Sequence, residues 1–202
     1  MPKVFLLSPA SCSGRRARML LRPDAAFDLA VRVRTEGVAL AEAFTFMSGL
    51  YFRGKAAYAR AFAAPPPGVA AALVITPTRG LVPLDARITT AELVEFAQVD
   101  IDAADERYRR PLVESVRSMR ARVGGQTDVV LLGSIASDKY VDVLLGELGE
   151  RLLFPASFVG RGDMSRGGIL LRHVDAGEEL TYVPVRGAVR RGPRPPRLEP
   201  RR

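Results

Sequence analysis

Four segments of this 202-residue chain place hydroxyl, thiol, carboxylate and cationic side chains directly after short apolar runs. The first, SPASCSGRR (residues 8–16), sets Ser8, Ser11, Cys12 and Ser13 ahead of Gly14, Arg15 and Arg16. A helix starting near Ser13 would offer free N–H groups and guanidiniums to a phosphate or carboxylate. Ser11, Ser13 and Arg15 are its candidate ligands. The same location would lower the pKa of Cys12 and make it a candidate nucleophile. The competing reading is a structural turn, because His173, the only histidine, is predicted on a strand and supplies no base.

The second segment, TPTRG (76–80), carries Arg79, either an anion clamp or the partner of Asp85 or another surface acid. In the third, GSIASDKYVD (133–142), Gly133 and Ser134 allow close backbone approach. Ser137 or Asp138 would cap a following helix. Alternatively, Asp138 serves as general base or grips a ribose hydroxyl, with Lys139 neutralising a developing anion.

The fourth, FVGRGDMSRGG (158–168), crowds Arg161, Asp163, Ser165 and Arg166 among glycines. It reads as a phosphate nest with Asp163 as an acid/base candidate, or as a crossover whose glycines supply unusual dihedrals. An integrin-type RGD is the weakest reading. The stretch 152–161, LLFPASFVGR, matches seven of ten positions of 6–15, LLSPASCSGR, and the likeness ends there. This is shared turn chemistry and not a duplicated domain.

The elements that must position these segments follow from the apolar runs. Residues 4–7, 72–75, 129–132 and 152–154 are continuous apolar stretches, as expected for strands buried on both faces of a parallel sheet. Helical patterns lie between them, over about 91–99, 105–123 and 138–148. The second has apolar residues at Tyr108, Leu112, Val116, Met119 and Val123, with Pro111 implying a kink or a later start. Residues 27–64 read as helix broken at Gly37, Gly49 and Gly54. Residues 168–185 read as two β-runs around Asp175–Glu178, an antiparallel edge hairpin. The expected fold class is α/β, a three-layer sandwich with a mainly parallel central sheet and that hairpin near the C-terminus. In such sheets ligands bind outside the carboxyl ends of the strands, where all four segments fall.

Hydrophobic residues make up 48%, enough for a sizeable core, and no apolar run reaches transmembrane length. The start MPKVFLLSPAS reads as a buried strand and not a signal peptide. One cysteine allows no intrachain disulfide and fits a cytoplasmic address. Of the net charge of +8, residues 186–202 contribute +6, from seven Arg and one Glu. The expected organisation is a single α/β domain over 1–185, then a basic, disordered tail over 186–202 that either contacts phosphates or only solubilises.

P-loop, strand-linked GxGxxG and GxSxG motifs are absent, which argues against ordinary nucleotide-binding and hydrolase-elbow chemistry. Nor do the residues call for a cofactor or a metal; one His and one Cys make a standard zinc site improbable.

The segments LYFRGKAAYARAF and LVITPTRGLVPLDARIT, with the SPASCSG start, resemble uncharacterised bacterial proteins allied to the peroxide-stress protein YaaA. The likeness spans about residues 3–90, through Leu50, Tyr51, Phe52, Lys55 and Tyr58, then Gly80, Leu81, Val82 and Pro83. It implies an α/β domain related to nucleic-acid or nucleobase chemistry and supplies no established active site. The expected function is hydrolysis or transfer at a phosphoester or N-glycosidic bond of a nucleotide, nucleoside or nucleic acid, in an anion-accepting cleft. Two alternatives stand beside it: a non-catalytic nucleic-acid binder using basic loops and the Arg tail, and a protein-interaction scaffold. The partners expected are a nucleotide or nucleic acid, and no membrane.

Overall fold

The computed structural model describes residues 1–198. In chain order its elements are β1 (Lys3–Leu7), α1 (Arg15–Leu21), α2 (Asp28–Thr35), β2 (Val38–Ala39), α3 (Leu40–Ser48), α4 (Leu50–Phe62), β3 (Ala72–Thr76), β4 (Gly80–Pro83) and β5 (Arg87–Ile88). There follow α5 (Thr90–Ala97), α6 (Glu106–Val123), β6 (Asp128–Leu132), α7 (Asp138–Leu148), β7 (Leu152–Pro155), α8 (Asp163–Ala176) and β8 (Tyr182–Pro184). The main sheet runs β4-β3-β1-β6-β7-β8, and β2 pairs with β5 in a separate two-stranded ribbon.

The four apolar runs are the four parallel strands. β1 lies between β3 and β6, with Leu7 opposite Val74 on one side and Leu132 on the other. Val4, Phe5, Leu6 and Leu7 are all fully buried, as the absence of alternation requires when helices cover both faces. Helices α4 and α8 pack on each other on one face, while α6 and α7 pack together on the other. This is the expected three-layer α/β sandwich.

Both sheet edges are antiparallel, β4 on β3 and β8 on β7. The C-terminal edge differs from expectation in one arm. Residues 168–176 are the second half of α8 and not a strand, so β8 reaches β7 after a helical crossover. His173 accordingly sits in a last helical turn, with Nδ1 3.0 Å from the Glu178 carbonyl. The run GILLRHVDA is ambiguous by pattern; Gly177, with φ of 67°, ends it in a left-handed cap that favours the helix.

Local chemistry accounts for the other boundaries. Thr89 and Glu92 form a reciprocal capping box at α5, and Asp105 caps α6, which continues through Pro111 to Gly124. Gly37 and Gly49, at φ of 73° and 65°, separate α2, α3 and α4. Gly54 breaks nothing. It lies inside α4, where a Cβ would sit 2.8 Å from the Gly167 carbonyl of α8. The two helices cross at this pair.

The described part of the tail lies against the body. Arg190 bridges Asp138 and Asp142 of α7 at 2.6 Å each, and the Pro196 carbonyl accepts from Arg161 at 3.2 Å. Among the described residues no helix is long and apolar enough to cross a membrane.

Candidate functional site

At the carboxyl ends of the parallel strands the chain leaves β1, β3, β6 and β7 in loops that wall one cleft of about 680 Å³. Residues 8–13 follow β1, Pro77 follows β3, Ser134, Lys139 and Tyr140 follow β6, and Asp163 follows β7. Ser48 and Tyr51 enter from the α3–α4 junction. Phe96, Ala97, Val99, Asp100, Ile101 and Asp102 close the far side from α5 and the loop after it.

Six residues anticipated from sequence meet here: Ser11, Cys12, Ser13, Ser134, Lys139 and Asp163. The remaining candidates lie elsewhere. Arg79 is held by Glu95 at 2.6 Å and Glu92 at 3.3 Å, so the surface-acid reading applies, with those partners and not Asp85. Asp85 instead pairs with Arg60. Asp138 is taken by Arg190 and lines a separate depression, while Ser137 caps α7. Arg15 opens the seven-residue α1 and does not line the cleft. Arg161 donates to the Ser157 and Pro196 carbonyls and to Ser165 Oγ, on the outer side of the α8 start. Arg166 is buried behind the wall, its Nε 3.2 Å from the Phe158 carbonyl and its guanidinium 3.3 Å from Asp163. Of the arginines expected to make the cleft anion-accepting, Arg79, Arg161 and Arg166 are therefore engaged outside it or behind it, and Arg15 lies outside its lining.

The electrostatics follow from that displacement. Asp100, Asp102 and Asp163 line the cleft against Lys139 as its lining cation. The rest is five serines, Tyr51, Tyr140 and Phe96, with Cys12 and small apolar residues such as Pro77, Ala97, Val99 and Ile101 between them. Cys12 is present but reversed in character. Its thiol is buried with Sγ 3.7 Å from the Ala10 carbonyl, and burial pushes its pKa up to about 12. The lowering expected of a helix N-terminus does not operate there.

The inner wall holds groups that sequence reasoning did not single out as a site. Lys55 of α4 is fully buried, with Nζ 2.6 Å from the Ser8 carbonyl and 2.9 Å from Ser8 Oγ. It stands over the rings of Tyr51 and Phe52, 4.5 and 4.7 Å from their centroids. Burial pushes the Lys55 amine down to about 7; Asp163 opposes that shift and Arg166 adds to it. The Tyr51 hydroxyl is buried without a hydrogen-bond partner. Tyr140 donates to the Ser134 carbonyl at 2.8 Å, and burial raises its pKa to about 12.

A signal for Lys55 was present. Tyr51, Lys55 and Tyr58 are spaced i, i+4, i+7, which puts the lysine on the apolar stripe of its helix. Asp100 and Asp102, in the short QVDID link between two helices, carried none.

Fold and site together define an open α/β-sheet protein with a hydroxyl- and carboxylate-lined cleft at the strand ends. Comparison with known proteins adds no relative: no family model, no curated protein and no solved structure matches the chain.

Proposed function

We propose that the strand-end cleft binds a nucleoside or nucleotide and carries out hydrolysis or transfer at its phosphoester or N-glycosidic bond. The observation that carries the reading is the lining itself. Asp100, Asp102 and Asp163, suited to accept from a ribose diol, line one cavity with Lys139, which suits a phosphate, and with five serines that can donate to either. Kinship with the YaaA-allied proteins and a reducing, cytoplasmic address belong to the same reading, supported respectively by the motifs of residues 3–90 and the single cysteine.

The test is thermal. A ligand at one hundred times its Kd stabilises by about 2.7 kcal/mol, about 5–10 °C in Tm for a chain of this size. Millimolar nucleosides and nucleotides should raise Tm by that order in the wild type and by much less in Asp102→Asn and Asp163→Asn. No shift with any of them overturns the reading. The alternative, nucleic-acid binding through the Arg-rich residues 186–202, expects instead an affinity falling steeply with salt and lost when those residues are deleted.

A further inference from the structure

Behind the inner wall of the cleft lies a buried lysine with no ion-pair partner among the described residues. Among the described residues no carboxylate lies within ion-pair distance of Lys55, and both of its hydrogen bonds end on Ser8. The Tyr51 and Phe52 ring faces and the two Ser8 oxygens offset part of the cost of a buried ammonium, but without a carboxylate in ion-pair reach full burial still favours the neutral amine. A neutral amine has two hydrogens and one lone pair. One hydrogen satisfies the Ser8 carbonyl at 2.6 Å, and the lone pair then faces Ser8 Oγ at 2.9 Å, within reach of its proton.

Ser8 sits where the first strand ends against the cleft. It is the first residue after β1, its N–H donates to the Leu132 carbonyl at 3.2 Å, and it is one of the residues lining the cleft, 6% exposed. Gly133 keeps the neighbouring space open: a Cβ there would lie 2.9 Å from Ser8 Cβ and 3.1 Å from the Tyr140 hydroxyl. When Lys55 is charged it has no lone pair, and the Ser8 hydroxyl turns to the Leu132 carbonyl at 3.3 Å instead. The protonation of one buried amine thus sets the direction of one hydroxyl proton.

We propose that Ser8 is the nucleophile of the cleft and Lys55 the base that takes its proton, acting on a phosphate ester. The proposal rests on the nucleotide reading above and selects the phosphoester over the N-glycosidic bond. In the first step Ser8 Oγ attacks phosphorus, the Oγ–P bond forms and the bond from phosphorus to the leaving oxygen breaks. The Oγ proton moves to the Lys55 lone pair and from there to the leaving oxygen. Water then attacks the phosphoseryl group, the Oγ–P bond breaks and Ser8 regains a proton. The net change is hydrolysis of the ester, and no oxidant, reductant or other co-reactant is needed.

The groups around Lys55 fit this role. From α8, Asp163 favours its protonated form and Arg166 opposes it. Tyr51 on its own helix and Tyr140 on α7 are both raised by burial and stay neutral near pH 7. The Lys55 amine, pushed down to about 7, is then divided between the base form and the charged form at neutral pH.

An alkyl fluorophosphonate tests the pair without knowledge of the natural substrate. The full-length protein should gain one adduct by Oγ–P bond formation with loss of fluoride, mapped to Ser8 by peptide mass spectrometry and absent in Ser8→Ala. The labelling rate should rise about tenfold per pH unit below 7 and level off above it. Lys55→Met should label at least about 100-fold more slowly while keeping its circular dichroism and its nucleotide-induced Tm shift. If Lys55→Met does not fold, the wild-type pH profile alone reads the base. No adduct at Ser8, undiminished labelling of folded Lys55→Met, or a rate independent of pH overturns the proposal. Nucleotide binding without labelling refutes the dyad alone; labelling without nucleoside or nucleotide binding refutes the substrate reading alone.

Discussion

The crossing of α4 and α8 carries Tyr51 and Lys55 on one helix and Asp163 and Arg166 on the other, so its closeness can be tested directly. A Cβ on Gly167 would lie 2.8 Å from the Leu50 carbonyl oxygen, and 2.9 Å from both the Leu50 carbonyl carbon and Tyr51 Cα. All three are backbone atoms and cannot swing aside, so Gly167→Ala must push the helices apart. Overpacking costs about 1–3 kcal/mol, and backbone obstruction argues for the upper end. Alanine recovers about 1 kcal/mol of helix propensity. The net loss is about 2 kcal/mol, or about 4–8 °C in Tm for a chain of this size. Gly146→Ala is the matched control, because it lies inside α7 with no atom within 4 Å of its would-be Cβ. It should gain up to about 1 kcal/mol and raise Tm by about 2–4 °C. Calorimetry on the three proteins reads both. A Gly167→Ala variant that melts at or above the wild-type temperature refutes the close crossing.

Lys55 should also be visible in stability against pH. Its folded pKa, about 7, lies below the 10.5 of an ordinary lysine, so between those values the unfolded chain binds a proton that the folded chain does not. Stability of the wild type relative to Lys55→Met should therefore rise as pH goes from 7 to 10, by up to about 1.4 kcal/mol per unit. Urea denaturation at pH 7, 8 and 9 measures this, and a flat or falling difference refutes a neutral buried amine. Cys12, with its thiol pushed up to about 12, should react with an aromatic disulfide at pH 8 at least about 100-fold more slowly in the native protein than in guanidinium. Equal rates would show that the thiol is accessible and ionised. Arg190→Ala removes two ion pairs to exposed acids on α7 and should cost less than about 1 kcal/mol, shrinking further in 0.5 M salt. A larger, salt-independent loss would mean the tail contributes through packing.

Much of the fold was legible because its signals are local. Continuous apolar runs mark strands covered on both sides, and Thr89, Asp105 and Gly124 announce helix ends through backbone hydrogen bonds within a few residues. The 168–176 segment failed for the converse reason. ILLRHV satisfies strand and helix patterns alike, and beyond the local cap at Gly177 the helix is held by packing of Ile169 and Leu170 into the core and by the approach of Gly167 to Gly54. The last two are long-range contacts.

The site divides along the same line. The four strand-end loops converge as the order of a parallel sheet requires, and Ser11, Cys12, Ser13, Ser134, Lys139 and Asp163 came with them. The electrostatic character was not readable. An arginine has the same formal charge wherever it lies, but Arg79 finds Glu92 and Glu95, and Arg161 finds backbone carbonyls, before either can reach the cleft. Cys12 and Lys55 show the effect most directly. The sequence around Cys12 suggests a reactive thiol, and burial instead raises its pKa to about 12; Lys55, marked by spacing only as a residue of an apolar stripe, is pushed down to about 7. Sequence alone determined the four parallel strands, most helices and the end of the sheet where chemistry would gather. Tertiary structure decided which charges face the cleft and which groups lose their water, because desolvation and ion pairing depend on neighbours that the chain brings together only by folding.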